Sequence, residues 1–151
     1  MEAIVSSTKA TKQLAKKIAE KLKPGDVLAL YGDLGSGKTT FTRFLVEALG
    51  IKARVQSPTF IIARVYEDDN GAGKENFLRA ITKVNHLDLY RLQSKPEVLD
   101  LGLLEYFKQP KSITLIEWPE LAEDLLPEKT IEIKFEVLAE NERKVNVQNL
   151  H

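Results

Sequence analysis

The chain of 151 residues contains no cysteine. That excludes disulfides and thiolate metal centres, and it leaves the redox compartment unread. Net charge is also missing: 22 Lys and Arg stand against 22 Asp and Glu. A uniformly basic nucleic-acid binder is therefore excluded, and any RNA contact must be local or shared with a partner. No apolar run approaches the ~20 residues of a membrane span, and the N-terminus lacks an apolar signal core. The expectation is a cytoplasmic protein with no membrane association. There is no internal repeat and no low-complexity tract, and the length suits a single domain over 1–151, large enough to bury a real core.

What is present is concentrated in Gly32-Asp33-Leu34-Gly35-Ser36-Gly37-Lys38-Thr39-Thr40. The pattern is G-x-x-x-x-G-K-[ST], the phosphate-binding loop. Val27 to Tyr31 before it is a short apolar run bounded by Pro24-Gly25-Asp26, which predicts a buried strand. Thr39 to Leu49 after it carries Phe41, Leu45 and Ala48-Leu49 and closes on Gly50, which predicts a helix with a glycine C′ residue. The competing reading is a flexible glycine turn with a chance Lys-Thr. Strand, glycine loop and helix in that order favour a site. Glycines let backbone N–H groups approach a polyphosphate without Cβ obstruction, and the helix adds free amides and a positive dipole end. Lys38 is then expected to reach the β- and γ-phosphates, and the Thr39 hydroxyl to ligate Mg2+. Residues 32–40 together are the expected nucleotide-binding set.

Along the chain, Ile4-Val5 reads as a short edge strand. Ser6-Ser7-Thr8 supplies a helix N-cap, followed by Leu14, Ile18 and Leu22 at four-residue steps up to Pro24-Gly25. The opposite face carries Lys9, Lys12, Lys16, Lys17, Lys21 and Lys23, either a solvated face or a docking surface. Phe60 to Tyr66 and Ala80 to Leu89 read as two strands of an antiparallel hairpin, with a long polar tip between them. Pro96 to Phe107 is helical and broken near Gly102, Ser112 to Glu117 is an apolar strand ending in a carboxylate, and Leu121 to Leu126 is a helical turn stopped by Pro127. Thr130 to Val137 alternates with period two and turns at Asn141-Glu142-Arg143 into a terminal hairpin.

A nucleotide site needs an acid to hold Mg2+ or its waters opposite Thr39, where an apolar strand runs out. Glu117 fits best and Asp88 is its rival. With Glu117 on the metal, Asp88 is free to orient or deprotonate the attacking water. Thr59, after Pro58, is a candidate for a loop that closes onto Mg2+ and the γ-phosphate; a plain strand start is its alternative. His86 stands open between a structural and a catalytic role, and Arg91 between surface charge and phosphate stabilisation. Trp118 reads either as core or as a stacking surface. No Asn-Lys-x-Asp is present to read guanine, which favours ATP; the segment Thr8 to Thr11 is the candidate adenine neighbour.

Four blocks together, Gly32 to Thr40, Ser57-Pro-Thr-Phe60, His86-Leu-Asp-Leu-Tyr-Arg91 and Leu115-Ile-Glu-Trp-Pro-Glu120, resemble the TsaE (YjeE) family of small bacterial P-loop ATPases. The resemblance implies an ATPase of tRNA threonylcarbamoyladenosine biosynthesis that works with TsaB and TsaD on adenosine 37, touching tRNA indirectly through that complex. It implies phosphate and Mg2+ at Lys38 and Thr39, Mg2+ at Glu117, a switch-like loop at Thr59 and a required acid at Asp88. The stretch Glu67 to Lys83 is longer than the family leads one to expect. Two other classes compete: a small-molecule P-loop kinase, which needs a basic lid that is not evident here, and a nucleotide-dependent binding protein without hydrolysis. The expected architecture is α/β: a three-layer P-loop NTPase fold, its sheet mostly parallel with antiparallel edge strands.

Overall fold

The computed structural model describes residues 1–58, 61–67 and 80–151. Thr59 and most of the expected hairpin tip (residues 68–79) lie outside them. All described strands join one seven-stranded sheet. In chain order the elements are β1 (Glu2–Val5), α1 (Thr8–Ala19), β2 (Val27–Tyr31), α2 (Lys38–Ala48), β3 (Ala63–Glu67), β4 (Lys83–Asp88), α3 (Lys95–Asp100), α4 (Leu103–Phe107), β5 (Ser112–Glu117), a 3-10 helix (Pro119–Leu125), β6 (Ile131–Ala139) and β7 (Glu142–Gln148). Across the sheet the order is β1-β7-β6-β2-β5-β4-β3. The four central strands β6, β2, β5 and β4 are parallel, while β3, β7 and β1 pair antiparallel at the edges. The α/β expectation with antiparallel edges is borne out.

Period-two alternation explains why helices cover both faces. Leu28 and Leu30 of β2, Ile113 and Leu115 of β5 and Val84 of β4 turn to one face. There they meet Leu14, Ala15 and Ile18 of α1 and Phe41 and Leu45 of α2. Val27, Leu87 and Ile116 turn to the other face and pack with Val98, Leu103 and Ala122. Strands buried on both sides read as continuous apolar runs, as β2 and β5 do. Each fully buried Leu or Ile contributes about 2 kcal/mol relative to its exposed state. The result is three layers around the sheet.

Local signals account for the ends of the elements. Ser7 caps α1, its Oγ accepting from Ala10 N–H (3.1 Å). The helix stops at Ala19 rather than running to Pro24, because the chain tightens into i→i−3 bonds, Lys21 N–H to Ile18 O and Leu22 N–H to Ala19 O. Leu22 is still buried. The helical stretch after Pro96 divides at Gly102 as expected. Strand β7 starts at Glu142 rather than Lys144, since Glu140-Asn141 suffices for the turn. Strand β4 begins at Lys83, three residues inside the expected start. The lysine face of α1 is exposed, with Lys12 paired to Glu47 of α2 at 3.1 Å. Among the described residues no helix is long and apolar enough to cross a membrane.

Candidate nucleotide site

The loop 32–37 leaves the end of β2, between β5 and β6, and enters α2 at Lys38. Gly37 is the residue before the helix, at φ 104 and with no side chain capping the first turn. The amides at the start of α2 are thus free of a side-chain cap and face the loop. Gly32 answers a different need. A Cβ there would lie 2.5 Å from Ser36 Oγ and 3.0 Å from the Phe135 carbonyl. Backbone approach between the loop and β6 is possible only without a side chain.

Parallel register delivers the acids. Asp88 of β4 pairs with Glu117 of β5, each the last residue of its strand. Alternation turns both toward the face that α2 covers, and both are buried. Thr39 Oγ1 donates to Glu117 Oε1 (3.4 Å). Glu117 Oε2 accepts from His86 Nε2 (2.6 Å), and Asp88 Oδ1 accepts from Tyr90 N–H (2.9 Å). Lys38 is buried among them, its ammonium donating to the Gly32 carbonyl and lying 3.8 Å from the Trp118 ring centroid. Burial pushes the Lys38 ammonium below its usual range, against the opposing pull of Glu117 and then Asp88. Trp118 adopts φ 54, a left-handed conformation uncommon for a bulky residue, and its ring meets Tyr90 at 4.9 Å. Trp118 is therefore part of the site wall.

Two cavities flank the loop. One, of about 210 Å³, is lined by Lys38, Thr39, Ser57, Asp88, Glu117 and Trp118 together with loop residues. The other, of about 410 Å³, lies between the start of α1 and the β6–β7 turn, against Thr8, Thr11, Phe135, Asn141 and Arg143. Both share Gly35, Ser36, Gly37 and Thr40. Asp33 and Leu34 are exposed at the loop's outer edge.

The donor set suits Mg2+. A Thr hydroxyl and a carboxylate oxygen are hard ligands, and their 3.4 Å separation is close to the ~3 Å edge of an octahedral Mg2+ shell. Among the described residues no cluster of three His, Cys, Asp or Glu could hold a metal.

Of the expected residues, the structure gathers Lys38, Thr39, Glu117 and Asp88 at one cavity and Thr8 at the other. Thr59 lies outside the described residues. Arg91 is exposed and lines neither cavity. His86, left open in the sequence, is fully buried beside Glu117. Arg143 and Phe135 were not foreseen. Arg143 donates to the Gly35 carbonyl (3.4 Å) across 108 positions of sequence, and nothing local marks it.

Comparison with known proteins identifies the family. The model of the family described as threonylcarbamoyl adenosine biosynthesis protein TsaE matches residues 5–145. The tRNA threonylcarbamoyladenosine biosynthesis protein TsaE of Bacillus subtilis is 42% identical over 135 residues, 89% of this chain and 77% of that protein. Its counterpart from Aquifex aeolicus is 36% identical over 148 residues, 97% of this chain and 94% of that protein. The crystal structure of Bacillus subtilis YdiB superposes with a TM-score of 0.74 at 34% identity, covering 96% of this chain and 82% of that one. With a phosphate-loop fold and a family match over most of its length, the chain belongs to the TsaE family, that of tRNA threonylcarbamoyladenosine biosynthesis.

Proposed function

We propose that the chain binds ATP with Mg2+ at residues 32–40 and hydrolyses it. In this reading it acts in the cytoplasm as the nucleotide-driven partner of TsaB and TsaD, in forming the threonylcarbamoyl group on adenosine 37 of tRNA. The observation that carries the reading is the convergence of Lys38, Thr39, Asp88 and Glu117 on one cavity beside the glycine loop.

The phosphates lie along the loop amides and the start of α2, where backbone dipoles favour negative charge. Lys38 sets its ammonium against the β- and γ-oxygens. Its burial removes competing water and strengthens that attraction. Thr39 and Glu117 are the protein ligands of Mg2+, which when bound neutralises charge on the β- and γ-phosphates. Asp88, the last residue of β4, orients the attacking water and accepts its proton. The adenosine extends into the larger cavity, past Thr8 and Thr11 of α1.

Among the described residues no arginine lines the cavity at Lys38. Turnover alone is therefore slow, and a cation supplied by the partner complex accelerates it. Phosphate release is measured for the wild type and for Asp88→Ala, alone and with TsaB, TsaD and tRNA. Wild-type turnover rises with the partners, and Asp88→Ala loses roughly 100-fold of it. A wild type inert in every mixture, or one that transfers phosphate to a small molecule, would refute the proposal.

A further inference from the structure

Glu117 is held from a direction the nucleotide chemistry does not require. Its Oε1 faces Thr39, while its Oε2 is taken by His86 Nε2 at 2.6 Å. The other ring nitrogen, Nδ1, lies 2.9 Å from the Tyr66 hydroxyl. That hydroxyl in turn donates to the Gln56 carbonyl (2.9 Å) and accepts from the Gln56 N–H (3.3 Å). The path crosses three neighbouring strands, β3, β4 and β5, and Tyr66, His86 and Glu117 are all buried. It begins one residue before Ser57, which lines the cavity at Lys38.

From these contacts we infer that Tyr66 and His86 are positioning residues. They aim the Glu117 carboxylate at the metal position and tie it to the backbone at Gln56, so that the loop bearing Ser57 and the metal-facing acid are set together. The inference rests on the reading that Glu117 is a Mg2+ ligand.

The hydrogen-bond geometry supports it. The Tyr66 hydroxyl donates its one proton to Gln56 O at 2.9 Å and lies 2.9 Å from His86 Nδ1, while the opposite ring nitrogen reaches Glu117. Loop and ring therefore meet at one hydroxyl, and displacement of either changes the hold on the other. Burial raises the Tyr66 phenol above its ordinary value, which keeps that proton in place. A ring at His86 also suits the geometry, because its two nitrogens point to opposite neighbouring strands. In metal sites, partners of this kind orient the ligand, and their loss costs about 10–100-fold in metal affinity.

Trp118, the single tryptophan, adjoins Glu117 and stacks on Lys38. Its fluorescence is the readout chosen for nucleotide and Mg2+ arrival. Wild type, Tyr66→Phe, His86→Gln and His86→Ala are titrated with ATP in EDTA, then with Mg2+ at saturating ATP. Tyr66→Phe removes only an oxygen and is expected to raise the Mg2+ half-saturation about ten-fold, with ATP affinity in EDTA unchanged. His86→Gln, which can keep an amide donor on Glu117, falls between wild type and His86→Ala. Wild-type Mg2+ titrations in both Tyr66→Phe and His86→Gln would overturn the inference. So would an equal loss of affinity with and without metal, which marks general damage to the core. A wild type indifferent to Mg2+ would instead overturn the underlying assignment of Glu117, and the inference with it.

Discussion

The two cavities beside the glycine loop are built from different materials. At Lys38 the wall is made of strand ends in parallel register, and it buries a cation and two carboxylates side by side. Between α1 and the β6–β7 turn the wall is a helix start, an aromatic ring and a turn held by Arg143. That guanidinium donates to the carbonyls of Ala139, Glu140 and Glu142 as well as Gly35. The first is charged and enclosed by buried side chains, suited to a ligand part of fixed geometry such as a triphosphate. The second is larger and mostly neutral, suited to shape and stacking. Charged groups are expensive to bury and are kept where they are paired or meet a ligand; shape can be assembled from almost any residues.

The largest expected effect lies in the charged cavity. Lys38→Ala lowers ATP affinity by about 3 kcal/mol, roughly 100-fold, as read by calorimetric titration. Its stability moves the other way. Burial holds the Lys38 ammonium below its unfolded value of 10.5, so the folded state binds that proton less tightly than the unfolded chain. The charged lysine therefore opposes folding at neutral pH, and this penalty fades only as pH rises through the depressed value. The thermal midpoint of Lys38→Ala in the absence of nucleotide is expected not to fall. A variant that loses both affinity and midpoint would make Lys38 a fold residue and blur the contrast.

Gly32→Ala probes the close approach of the loop to β6. Its Cβ would lie 3.0 Å from the Phe135 carbonyl oxygen and 3.1 Å from Phe135 Cβ, two atoms whose positions the β6 backbone fixes. The expected cost is about 2 kcal/mol, a drop of roughly 5 °C in melting temperature. A wild-type melting curve would mean that the loop and β6 separate easily.

The smallest effect is expected in the neutral cavity. Arg143→Ala removes the exposed guanidinium contact to Gly35 and weakens ATP by about 1 kcal/mol, some five-fold. Inorganic triphosphate, which has no nucleoside to place there, should bind both proteins alike. Equal loss for both ligands would assign Arg143 to the phosphates and merge the two cavities into one.

Reading the chain in one dimension reached far wherever the cause was local. The glycine loop and its flanks, the Ser7 cap and the break at Gly102 each follow from a few adjacent residues. Glu117 was legible as the acid at the end of an apolar run. Its neighbourhood was not. Whether His86 served structure or chemistry depended on which strand lay on either side of β4, and neither Tyr66 nor Arg143 carries a mark of what it will touch. The stop of α1 at Ala19 was likewise invisible, since the leucine repeat continues to Leu22 while the hydrogen bonds do not.

Sequence alone, then, determined that a loop of the phosphate-binding pattern exists, where it begins and which acids stand at the ends of apolar strands, because amide geometry and strand alternation act over a handful of residues. Only the tertiary structure decided that Asp88 and Glu117 stand in register, that Tyr66 and His86 brace the second of them, and that Arg143 closes the far side. Those outcomes depend on the order of strands across the sheet, which is set by the packing of the whole chain.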